Sequence, residues 1–132
     1  MSLVHRLATR YRELLLIRRV AEEYAKLSYH PAARRELEEA ITWYDAKEED
    51  LGAQFATAVV ERVRSLREAP ERWPLVQGGG GARKVPIDKS RRRRWPYSII
   101  YYSRRTLAGE PLVRIIAVAH AKRRPLYWAN RS

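Results

Sequence analysis

The chain has no cysteine, which excludes disulfides, thiolate metal sites and a cysteine nucleophile. Histidine is scarce: three dispersed rings offer no metal-ligand spacing, so neither a metal nor a cofactor is expected. Long apolar runs are also missing. The longest near the N-terminus is Leu14-Leu15-Leu16-Ile17, closed by Arg18-Arg19, far short of the ~20 residues a membrane span needs. The chain therefore reads as soluble, with no membrane partner. Most depleted of all is negative charge, with 15 acidic residues against 27 basic ones and a formal net charge of +12. A positive field of that size attracts nucleic acid, an anionic surface or an acidic protein.

What is present suffices for one compact domain with a modest core, since 132 residues are too few for two ordinary ones. The charge is distributed unevenly along it. Residues 30–73 carry seven basic against ten acidic side chains, residues 83–94 seven against one, and residues 104–124 six against one. A slightly acidic middle followed by a strongly basic later part suits a one-sided binding surface.

Hydrophobic periodicity supplies the elements. Leu3, Val4, Leu7, Tyr11, Leu14 and Leu15 recur at helical spacing and predict an amphipathic N-terminal helix. The alternating stretch from Tyr24 to Tyr29 predicts a short strand that His30-Pro31 closes, because proline disfavours helical geometry in the residue before it. Pro31 suits the first turn of a helix running to about Lys47, with Ala33, Leu37, Ala40, Ile41 and Tyr44 on one face. Glu36, Glu38 and Glu39 lie early in it, where acidic groups favour the helix dipole. A short acidic link leads to a second helix with Leu51, Phe55, Ala58, Val59, Arg62, Val63 and Leu66 on one side, its exit bracketed by Pro70 and Pro74. So short a link predicts an antiparallel helical hairpin.

Gly78-Gly79-Gly80-Gly81 reads as a flexible loop; a phosphate cradle is disfavoured because no glycine-lysine-serine pattern or helix follows. Arg83 to Ile87 fits an edge strand that tolerates Pro86. Tyr97 to Tyr102 and Leu112 to Ala119 predict two stronger strands joined as a hairpin. The expected fold is α+β, a small antiparallel sheet with a helical hairpin on one face, in the order β-α-α-β-β-β.

Four segments in order carry a family resemblance: His30-Pro31 before the first helix, Ala69-Pro70-Glu71-Arg72-Trp73-Pro74 after the second, Arg94-Trp95-Pro96-Tyr97 entering a strand, and Ala117-Val118-Ala119-His120 followed by Arg123, Pro125, Tyr127 and Trp128. Together they resemble the RelE/ParE toxins of bacterial and archaeal type II toxin–antitoxin modules, over a toxin domain spanning residues 24–132. Residues 1–23 fall outside the resemblance, as an extra helical extension or the product of a start codon set too early, with Val20 as the alternative start. The resemblance implies a cytoplasmic toxin that inhibits growth and stabilises its plasmid or chromosome, held by an acidic-tailed antitoxin in a complex that would include a toxin–antitoxin heterotetramer.

Two modes of action are implied by the family. In a RelE-like ribosome-dependent, metal-independent mRNA endoribonuclease, His120, Arg123, Arg94 and Tyr127 would serve as base, phosphate clamp, second clamp and acid. In a ParE-like toxin, which the Pro125-x-Tyr127-Trp128 ending resembles more, DNA gyrase is bound rather than any bond cut. There Arg91, Arg92, Arg93, Arg94, Lys122, Arg124 and Trp128 would contact a partner. A third implied class is an inactive member kept as an antitoxin-binding partner. Beside these stand plainer expectations: His120 hydrogen-bonded to neighbouring backbone, His30 structural beside its helix start, and Trp73, Trp95 and Trp128 as packed anchors.

Overall fold

The computed structural model describes residues 27–88 and 95–132. The expected helix over residues 3–17, the boundary at residue 23, and the run Arg91, Arg92, Arg93 and Arg94 lie outside the described residues. Six elements follow in order: β1 (Leu27–Tyr29), α1 (Pro31–Lys47), α2 (Leu51–Glu68), β2 (Arg83–Pro86), β3 (Tyr97–Arg105) and β4 (Pro111–His120).

Helix α1 begins as its sequence dictates. Pro31 occupies the first turn, where its missing N–H costs nothing, and His30 caps the helix by accepting the Ala32 N–H at Nδ1, 3.0 Å away. The ring of His30 is thus structural, and burial together with the Arg114, Arg131 and Arg35 charges lowers its pKa despite Glu36 nearby. The connection to α2 is tight because Asp50 adopts a left-handed conformation (φ 65°) and Asp45 Oδ1 accepts the Gly52 N–H at 3.0 Å. The two helices form the antiparallel hairpin expected.

Its apolar stripe meets one face of the sheet. Leu37, Ile41, Phe55, Val59 and Leu66 pack with Val85, Ile99, Tyr101, Ile115 and Val118 in the main core. The other face carries a smaller cluster in which Ala82, Ile100, Ile116 and Ala117 are covered by Trp128, with Leu126 and Val76 at its margin. The stretch from Leu112 to Ala119, apolar except for Arg114 and without strict alternation, follows from a strand whose later part is buried on both faces.

Two expectations are corrected here. The sheet is mixed rather than wholly antiparallel: its order is β1-β4-β3-β2, and β1 runs parallel to β4 while the other pairs are antiparallel. β2, β3 and β4 alternate in direction, so β2 and β4 both run with β1; the chain that leaves β1 at one end of the sheet enters β2 at the opposite end, after the hairpin and the loop that follows it. Nor are the four glycines a slack tether. Val76 and Ala82 pair across them (N–H to C=O, 2.8 Å), and a Cβ on Gly79 would lie 3.0 Å from both the Trp128 ring and the Val76 carbonyl oxygen. Gly81, at φ 98°, needs its missing side chain for a different reason, the left-handed backbone. β2 is an edge strand, as Pro86 anticipated.

Candidate functional site

Where β4 ends, the chain folds back across α1. A shift in β3–β4 register between Ile100 and Tyr101 leaves Ile116 as an extra residue, which turns the next backbone groups of β4 toward the outer edge. Among the described residues no strand beyond three-residue β1 pairs with that edge, and side chains take its place. The Val118 N–H donates to Glu36 Oε1 (3.1 Å), and Arg131 Nη1 donates to the Ile116 carbonyl (3.1 Å). Arg131 also donates to Glu36, 2.7 Å to Oε1 and 3.3 Å to Oε2, and the Tyr127 hydroxyl donates to Oε2 at 2.6 Å. One carboxylate on α1 therefore gathers β4 and the C-terminal turn at a single point. Both charged side chains are largely buried, so removing either partner would leave the other as an uncompensated buried charge.

The tie builds one wall of an open groove of about 400 Å³ between α1, the entry to β3, the end of β4 and the C-terminal turn. Tyr44 and Tyr97 belong to an aromatic cluster with Phe55 and Trp95, whose ring centroids lie 5.0 to 6.3 Å apart. Trp43 lines the groove and stays 55% exposed, with Lys47 Nζ 4.8 Å above its ring. An exposed tryptophan beside a groove is a common signature of an interaction surface.

The residues singled out from sequence fall into separate places. His120, Arg123 and Tyr127 do meet in this groove. The His120 ring packs edge-on against Tyr97 at 4.9 Å, and its Nδ1 accepts the Lys122 N–H at 3.0 Å. That acceptor role puts the proton of the neutral ring on Nε2. Arg123 lies over the Tyr127 ring at 4.0 Å and Arg131 at 5.1 Å. Burial raises the Tyr127 pKa well above the ordinary phenol value, helped by the hydrogen bond to Glu36 and by that carboxylate's charge, against the opposing pull of Arg131 and Arg123. Lys122 and Arg124 are exposed on the turn, whereas Trp128 is only 4% exposed and forms part of the second apolar cluster. Arg94 lies outside the described residues.

The family described as "ParE toxin of type II toxin-antitoxin system, parDE" matches residues 27–125. The chain belongs to the ParE toxin family. Family membership makes this ParE-family chain the toxin partner of a cognate antitoxin. No curated protein matches the chain. The match takes in the whole helical hairpin and all four strands, and ends before Tyr127, Trp128 and Arg131. The carboxylate side of the tie thus lies within the family match and its hydroxyl and guanidinium lie just beyond it. Among the described residues no cluster of histidine, cysteine, aspartate and glutamate could hold a metal ion, and no helix is long and apolar enough to cross a membrane.

Glu36 and Arg131 are the site residues that sequence reasoning missed. Glu36 was assigned to the helix dipole, yet it lies one turn beyond the opening of α1 and the first turn holds no acidic residue. A signal existed: Glu36 sits three residues after Ala33 and four before Ala40, on the face read as apolar. A carboxylate there requires a partner brought in by the fold. Nothing local to Arg131 marks it as that partner.

Proposed function

We propose that this ParE-family toxin arrests growth by binding DNA gyrase through the groove and its basic rim, and that an acidic-tailed antitoxin neutralises it by covering the same surface. The observation that carries this reading is the tie at Glu36. Cleavage of RNA by the set His120, Arg123 and Tyr127 needs a base facing the ribose hydroxyl and an acid with a proton to give. The Tyr127 proton is held at 2.6 Å by Glu36, and a raised phenol pKa makes it a weaker acid. The Nδ1 of His120 accepts the Lys122 backbone N–H, which leaves Nε2 as a donor when the ring is neutral. A side chain engaged in this way suits a rigid recognition surface better than proton transfer.

Purified chain added to gyrase and relaxed plasmid tests the reading. Loss of supercoiling, with an in vitro translation reaction left unaffected, is the expected result. Site-specific cleavage of mRNA on ribosomes with supercoiling intact would overturn it in favour of the endoribonuclease. Pulse labelling after induction without antitoxin gives the cellular counterpart: DNA synthesis should stop before protein synthesis, and growth without arrest would mark an inactive member.

A further inference from the structure

A second cationic site lies away from the groove, where α2 meets the loop after it. Arg62 is 6% exposed, its Nε is buried with no hydrogen-bond acceptor, and its guanidinium stacks on Trp73 with 5.0 Å from the central carbon to the ring centroid. Arg72 approaches the same indole at 5.8 Å. Neither arginine forms an ion pair with a carboxylate among the described residues. Glu71, the sequence neighbour of Arg72, is turned to Arg105, 3.4 Å away. Two guanidinium groups thus lie over one indole, neither paired with a carboxylate among the described residues, and burial together with the charge of Arg72 lowers the pKa of Arg62.

Stacking does not account for the arrangement. A cation–π contact contributes roughly 1 to 2 kcal/mol, whereas burying an uncompensated charge costs several. The loop that presents Trp73 is also firmly anchored. The Tyr101 hydroxyl donates to the Pro70 carbonyl at 2.7 Å, and Arg83 Nη1 donates to the carbonyls of Glu71 (3.0 Å) and Trp73 (2.7 Å). Anchored donors with unused hydrogen-bonding capacity are what a built anion receptor requires.

We propose that Arg62, Arg72 and Trp73 form a binding site for a phosphate-class oxyanion that takes hydrogen bonds from the guanidinium groups gathered at the indole. A tetrahedral phosphate group matches the site better than a carboxylate does. Its oxygens diverge and can reach two forks at once, whereas a carboxylate's two oxygens lie in one plane and satisfy one fork. The phosphate is supplied either as the free ion or as the backbone of a nucleic acid.

The test uses the purified full chain and follows the Trp73 indole N–H by NMR during titration with inorganic phosphate at constant ionic strength. Phosphate is expected to shift that resonance saturably, with chloride and acetate ineffective. Arg62→Gln disturbs a buried side chain, so the exposed Arg72→Gln carries the comparison and should weaken phosphate about tenfold by removing one charge-assisted contact. A short DNA duplex distinguishes the sources. If the backbone is the ligand, Arg72→Gln lowers duplex affinity and reduces the salt slope by about one. If the duplex is indifferent to the substitution while phosphate is not, the free ion is the ligand. Phosphate no better than chloride, or equally tight on Arg72→Gln, overturns the proposal. Acetate or an acidic peptide binding as well as phosphate overturns it in favour of a carboxylate site.

Discussion

A single carboxylate decides how the C-terminal turn sits. Glu36 receives a phenol, a guanidinium and a backbone N–H, and each donor comes from a segment more than eighty residues further along the chain. Glu36→Gln keeps the shape but removes the charge and replaces one acceptor oxygen with a donor. The expected cost is about 2 kcal/mol in urea unfolding, the scale of hydrogen bonds to a charged group. The turn bearing Arg123 should loosen with it; on the proposed reading as a gyrase inhibitor, inhibition should then fall more steeply than stability alone explains. Inhibition unchanged in a folded Glu36→Gln protein would show that the turn's position is irrelevant to binding. On the opposite face of the sheet, Gly79→Ala should also destabilise, by about 1–3 kcal/mol, because the added methyl meets the Trp128 ring and the Val76 carbonyl at 3.0 Å. A thermal melt of the variant against the parent chain checks it.

Between elements, the helical hairpin depends on a close approach at its turn. A Cβ on Gly52 would fall 2.8 Å from the Ile41 carbonyl oxygen and run into the Asp45 carboxyl group. That carboxyl is the group that accepts the Gly52 N–H and closes the hairpin. Gly52→Ala is therefore expected to lower stability by about 2 kcal/mol, despite alanine's better helix propensity. An increase in melting temperature would mean that the hairpin opens at no cost. Most of this level was legible from sequence. The α1 and α2 stripes, the tight link, the edge position of β2 and the β3–β4 hairpin follow from periodicity and from proline, which act over a few neighbouring residues. The parallel pairing of β1 was not legible. Strand direction depends on where the intervening hairpin delivers the chain, and no local pattern encodes that.

For the whole molecule, buried phenols set a limit on the alkaline side. Tyr101 is fully buried, its hydroxyl hydrogen-bonded to the Pro70 carbonyl, and burial pushes its pKa up to about 12 against the lowering charge of Arg83. Burial raises Tyr29, Tyr44, Tyr97 and Tyr127 as well. For each group the unfolded chain releases its proton near pH 10 and the folded chain holds it longer. Their stabilising contribution is complete below pH 10 and is lost as pH rises toward the folded values. Urea midpoints should therefore fall between pH 10 and pH 12. Tyr101→Phe should flatten the fall by about 1 kcal/mol per pH unit. An unchanged slope in that variant would indicate that Tyr101 ionises as readily folded as unfolded.

Charge acts at the same scale. With +12 on the chain, association with an acidic partner should be fast at low salt and slow as ionic strength rises. The absence of cysteine, the net charge, the helical stripes and the order of elements were all determined by sequence alone, because each depends on composition or on residues close along the chain. The sequence also brought His120, Arg123 and Tyr127 under suspicion together, and they do share a groove. What each side chain is free to do was decided only by tertiary structure. Tyr127 is tied to Glu36, Trp128 is folded under the sheet against Gly79, and Arg62 and Arg72 both lie over the Trp73 ring. Hydrogen bonds and desolvation act through space over a few ångströms, and only folding brings residues 36 and 131, or 62 and 73, within that range.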